Sequence, residues 1–206
     1  MSGMSARPAP RAGWVPLFLG VALFSTIEVA SKEIGTRVHP LQMVFLRFFL
    51  TGLVLLGLAA PSLRRRAVPL QIEDYGLFLL NGVIGFSASI VLFHWAILMF
   101  EKAASCAVVF SANPIFILFV ARFVNREPWN VLKWTAMAAG AAGVAFFAWE
   151  SGGVTSQSLA GLGLMLASAF LFAVSICLVR RVIARYGVFI LTGFSALFGS
   201  LVVLPF

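Results

Sequence analysis

Apolar residues run almost unbroken from Trp14 to Ile27, and the pattern then repeats down the chain with only short polar gaps. The runs are long enough to predict membrane-crossing helices, since a hydrocarbon core of roughly 30 Å needs about 20 apolar residues. The predicted spans are Trp14 to Lys32, Leu41 to Ala60, Tyr75 to Phe100, Ala103 to Val124, Trp129 to Trp149, Leu159 to Val179 and Gly187 to Leu204. Pro40 and Pro61 bracket the second span, and Pro114 lies near the middle of the fourth. The expected fold is all-α, a polytopic membrane helix bundle of about seven transmembrane helices. Residues 1–12 read as a short disordered cytoplasmic tail.

Composition agrees with the pattern. The chain is 61% hydrophobic and 11% charged, against about a quarter charged in soluble domains. The net charge of +8 raises nucleic acid as a partner. The basic residues fall in short gaps between apolar runs instead, so they orient the chain in a bilayer and no nucleic-acid partner is expected. With the N-terminus in the cytoplasm, the inner side holds Arg7, Arg11, Arg64, Arg65, Arg66, Arg122, Arg126, Lys133, Arg180, Arg181 and Arg185. The outer side then holds Lys32, Arg37 and Lys102. This bias predicts an N-in, multi-pass protein of the inner (plasma) membrane. The first run lacks a small-residue cleavage site and reads as a retained span rather than a signal peptide.

Two charges interrupt the apolar pattern: Glu28 inside the first span and Arg47 inside the second. A charge at mid-bilayer costs about 2.5 kcal/mol or more, so it has a partner or a function. At about 1.5 Å rise per residue, Glu28 lies about 6 Å below Lys32 and Arg47 about 9 Å in from Leu41, entering from the same face. The two charges are therefore at similar depth. A Glu28–Arg47 ion pair is one reading, with Lys32, one turn above Glu28, as the alternative partner. The other reading is a cavity in which Glu28 meets a cationic group or a proton.

Further candidates for substrate binding are Ser87 and His94, seven apart on the third span, and Ser111 and Asn113, beside Pro114. Proline has no N–H and frees the carbonyl of Phe110 four residues earlier, which predicts a kink. Freed backbone groups at that depth are tolerated inside protein or along a wet cavity. Ser168 and Ser175 make a stripe on the sixth span. Ala136, Ala139, Ala142, Gly140 and Gly143 make the fifth span smooth enough for close packing, internally or in a dimer. Cys106 and Cys177 lie in separate spans without metal-ligand spacing. Phosphate-binding loops, metal clusters and catalytic triads are absent from the sequence, so neither an enzyme nor a cofactor is expected.

Sliding the chain so that Gly13 falls on Gly161 also puts Leu23-Phe24 on Leu171-Phe172, Lys32 on Arg180 and Arg37 on Arg185. Five spans separate the copies, so the second is inverted, as in many secondary transporters. The expected organisation is one complete repeat over 13–150 and a partial second repeat over 159–206, about three spans short of a full copy.

The segments Glu28-Val29-Ala30-Ser31-Lys32, His39-Pro40 to Arg47, and Ala103 to Glu127 with Ser111-Ala112-Asn113-Pro114 resemble the EamA branch of the drug/metabolite transporter superfamily. The resemblance implies inverted repeats around a central cavity and transport of small metabolites such as amino acids. On this reading the partners are the lipid bilayer and a small-molecule substrate. A homodimer or a partner chain supplying the missing half is one alternative, a transport-inactive fragment another, and an intramembrane enzyme the last.

Overall fold

The computed structural model describes residues 14–35, 37–64, 70–150 and 156–204. The predicted N-terminal tail, the arginines at 65 and 66, and the loop at 151–155 lie outside them. The described residues form a helical bundle: α1 (Trp14–Ser25), α2 (Ile27–Gly35), α3 (Pro40–Arg64), α4 (Ile72–Asn81), a π-helical segment (Gly82–Ala88), α5 (Ser89–Met99), α6 (Ala103–Phe110), α7 (Asn113–Val124), α8 (Val131–Glu150), α9 (Ser156–Tyr186) and α10 (Val188–Val203). Helices are the expected form, because each backbone N–H and C=O finds its partner within its own segment.

Among the described residues, four stretches are long and apolar enough to cross a bilayer: Pro40–Leu63, Ile72–Met99, Ser105–Val124 and Leu159–Arg180. Val131–Phe146 and Val188–Val203 are shorter apolar helices. Val15, Phe18 and Leu19 on α1, and Leu50, Val54 and Leu58 on α3, turn outward. In water such a surface would be a liability; in lipid it is the solvated face. The chain is a multi-pass membrane protein.

The long α9 runs through the middle of the bundle. It packs on α4, the π segment and α5 along one side and on α6 and α7 along another. Ser89 Oγ donates to Ser168 O at 2.9 Å and Ser168 Oγ donates back to Ser89 O at 2.8 Å, so each hydroxyl is satisfied at a close helix crossing. α10 lies between α3 and the α4–π pair. α8 is peripheral, resting on α7 and α6. Its smooth face is largely uncovered: Ala136, Ala139, Ala142 and Gly143 are exposed, and Gly140 alone faces a neighbour, Ile115.

Three predicted spans are not continuous helices. The first breaks at Thr26, where Ser25 Oγ donates to Ala22 O and Thr26 Oγ1 to Leu23 O, both at 2.8 Å. Two successive hydroxyls bonding back into the preceding turn compete with the backbone and bend it. Thr26 N–H tightens onto Leu23 O, and α2 starts afresh. The third span carries the π segment, where Ser89 N–H reaches Ile84 O five residues back. The fourth breaks at Ser111–Ala112, just before Asn113 and Pro114 open α7, with Ser111 Oγ donating to Val108 O at 2.6 Å. Pro61 does not end the second span: the helix continues to Arg64, and the ring costs it one exposed hydrogen bond in the last turn.

Replacing Ser25 and Thr26 together with Ala is expected to heal the first break. Amide exchange at residues 26–29 should then slow by at least about tenfold, as first-turn donors regain carbonyl partners. Unchanged exchange would assign the break to packing rather than to the two hydroxyls.

Candidate functional site

All three interruptions border one cavity of about 180 Å³. Ile27 and Glu28 follow the first break, Phe86 lies in the π segment with Ile90 one turn on, and Phe110 ends α6 at the third. Arg47 and Phe48 from α3, Phe93 from α5 and Phe172 from α9 complete the wall. The volume is below the roughly 300–1,000 Å³ of sites for drug-sized ligands, which suits a small molecule. Five phenylalanines and two isoleucines make the wall apolar, with one carboxylate and one guanidinium as its charged groups.

The charges share this cavity without forming an ion pair. Among the described residues, the salt bridges are Lys133–Glu127, Arg180–Glu127 and Arg185–Asp74, none of which involves Glu28 or Arg47. Glu28 is 7% exposed and opens the first turn of α2, where the helix dipole favours a negative charge. Arg47 is half-buried, with its guanidinium carbon 5.5 Å from the Phe48 ring centroid, an arrangement that holds a cation against a π face. The expected Glu28–Arg47 ion pair is therefore corrected to two separate poles of a cavity. The alternative Glu28–Lys32 pair is corrected too. Lys32 Nζ donates to the carbonyls of Phe100 and Glu101, capping the end of the α5 segment.

Four other sequence candidates stand outside the cavity wall. Ser87 Oγ donates to Gly199 O at 2.7 Å and ties the π segment to α10. Ser111 is exposed and bonded to its own preceding turn. His94 is 1% exposed, with Nδ1 donating to Ile90 O at 2.8 Å and Nε2 unpartnered. Asn113 is half-buried beside the break, with Oδ1 unpartnered. Pro114 occupies the first turn of α7, where its missing N–H leaves no gap in the ladder. The sequence reading missed the phenylalanines. Phe86, Ile90 and Phe93 at helical spacing were the available signal.

The two ends of the bundle differ in charge. One end gathers Arg122, Glu127, Lys133, Arg180, Arg185 and Asp74; the other holds Lys32, Arg37 and Lys102. Glu127 accepts from Lys133 Nζ at 2.9 Å and pairs with Arg180. These hydrogen bonds hold its carboxyl below the usual carboxylate range.

Residues 12–149 match the model of the EamA-like transporter family. The chain is also similar to an uncharacterized transporter of Clostridium kluyveri, 23% identical over 198 residues, 93% of this chain and 63% of that protein. It thus spans less than two thirds of that relative's length. No solved structure matches the chain. A family match over residues 12–149, a bundle of apolar helices and a charged cavity at three helix interruptions lead to one conclusion: the chain belongs to the EamA-like transporter family.

Proposed function

We propose that the protein is a secondary transporter that moves small polar metabolites, amino-acid-like in chemistry, across the inner membrane by alternating access. The observation that carries this reading is the pair of opposite charges, Glu28 and Arg47, facing one phenylalanine-lined cavity without neutralising each other. An isolated buried charge is costly, and a zwitterion seated between the two would satisfy both: its ammonium on Glu28, its carboxylate on Arg47, its apolar part against the rings. Discontinuous helices around a central site are the usual means by which transporters present polar groups at membrane depth.

The inverted-repeat reading has support in the helix boundaries. α3 begins at Pro40 and α10 at Val188, which is the displacement that carries Gly13 onto Gly161, and these two helices pack against each other. The matched break is missing in α9, where Ala173 and Val174 stand in place of Ser25 and Thr26. In this reading residues 13–150 are the first repeat and 159–206 the start of an inverted second. The arginine-rich end faces the cytoplasm, with the N-terminus.

A thermal-shift screen of amino acids and related zwitterions against the purified protein in detergent tests the proposal. A true ligand at about 100 times its Kd adds about 2.7 kcal/mol of stability by mass action. The wild type should show this rise and Glu28→Gln should lose it. A rise of equal size in both would separate binding from the cavity.

A further inference from the structure

The cavity sits toward the end of the bundle marked by Lys32. Phe93 is about 9 Å from the end of α5 at Met99, and Glu28 about 6 Å below Lys32. At the arginine-rich end the facing surfaces of α4 and α9 are shut instead. Asp74 is 8% exposed and accepts from the Tyr186 hydroxyl, a hydrogen bond between helices. Arg185 Nη1 lies 3.7 Å from the same carboxylate and donates to Gln71 Oε1 at 3.0 Å. The Tyr186 phenol is held above its usual range, chiefly because it donates to Asp74 and so keeps its proton. Directly above, Phe78 packs edge-on against Tyr186, with ring centroids 6.0 Å apart, and stacks on Phe194 at 5.6 Å. Phe172, on the cavity wall, is about 21 Å along α9 from Tyr186.

Below the cavity, the seam that α9 makes with α4 and the π segment is polar and closely packed. Asn81, 4% exposed, has an amide oxygen without a partner. A Cβ on Gly85 would lie against Ser175 Oγ and 3.5 Å from that Asn81 oxygen. The seam therefore offers polar groups at mid-depth, between a charged cavity on one side and a latch on the other.

The geometry points to Asp74, Tyr186 and Arg185 as the gate that closes the arginine-rich end, with the α4–α9 seam past Asn81 and Ser175 as the route it controls. The gate rests on the alternating-access reading above. Opening it separates α4 from the end of α9 and frees Asp74 to solvent, while the reciprocal Ser89–Ser168 bonds hold the far end of the seam.

The test is the maleimide reactivity of Val179→Cys, which lies on the seam two turns before Tyr186, in a Cys177→Ala background in lipid nanodiscs. Val179 is 5% exposed and packs in the same cluster as Phe78 and Tyr186. Cys106, fully buried in the cluster at the cavity end, is the internal control for general loosening. Asp74→Asn and Tyr186→Phe are each expected to speed Val179→Cys labelling at least about tenfold and leave Cys106 unmodified. Arg185→Gln, which keeps the Asp74–Tyr186 bond, should give about a threefold rise and serves if the other two fail to fold. Unchanged labelling of Val179→Cys, or a parallel rise at Cys106, overturns the gate. The labelling needs no substrate, so a failed ligand screen would strike the transport reading alone.

Discussion

Arg47→Leu is expected to weaken ligand binding by roughly 10- to 150-fold while raising the melting temperature. The two effects have one cause. The guanidinium is half-buried, bears no ion pair, and is held by the face of Phe48. Its burial is therefore a standing cost in the unliganded protein, which Leu removes. If Arg47 instead formed a structural pair with Glu28, removing one partner would strand the other and cost about 3–5 kcal/mol of stability. The sign of the shift separates the two roles. On the binding side, a charge-assisted hydrogen bond to a carboxylate contributes about 1.5–3 kcal/mol, so its loss weakens affinity by roughly 10- to 150-fold. Arg47→Lys keeps the charge but not the planar fork and should fall between. Glu28→Gln is the mirror experiment, with affinity lost for the ammonium and stability unchanged or raised. Differential scanning fluorimetry and equilibrium binding on the same preparations read both quantities. A fall in melting temperature for both variants would return the pair to a purely structural role.

The membrane bundle was legible because its signal is long and redundant: each span repeats the apolar pattern over many residues, and Lys and Arg mark the gaps. That Glu28 and Arg47 come to one level of the bundle was legible too, since counting rise along two neighbouring segments needs no tertiary information. Whether the two charges touch was not. That depends on a helix break of one residue at Thr26, set by two hydroxyls whose choice between carbonyl and solvent a sequence does not display. Ser87, Ser111 and His94 show the same limit. Each is polar within an apolar segment, and each bonds a carbonyl away from the cavity, although His94 Nε2 stays unpartnered. The cavity wall was hidden for the opposite reason: in a chain so rich in phenylalanine, those facing a cavity look like those facing lipid.

Gly82→Ala should be among the most damaging single methyl groups that can be added to this protein. A Cβ at residue 82 would strike Ser195 O and come within 2.8 Å of Gly199 N, both backbone atoms that no rotamer change can move. The contact is mutual, because a Cβ at Gly199 would lie 2.6 Å from Gly82 O and 3.0 Å from Phe86 Cβ. The π segment and α10 thus meet backbone to backbone, as small residues permit in membranes. Relief requires the helices to part. Overpacking ordinarily costs about 1–3 kcal/mol; with both obstacles in the main chain, a loss of about 3 kcal/mol or more is expected. Gly57→Ala and Gly143→Ala are the controls. Nothing lies within 4 Å of a Cβ at either position, and a helical Gly-to-Ala exchange gains about 1 kcal/mol. The consequence reaches the cavity, because the segment displaced by Gly82→Ala carries Phe86, and Ile90 follows one turn later. Monodispersity and melting temperature in detergent report the packing loss, and binding to any surviving folded fraction reports the cavity. Equal melting temperatures for Gly82→Ala and Gly143→Ala would mean that the π segment and α10 do not pack as described, and the placement of Phe86 in the wall would go with them.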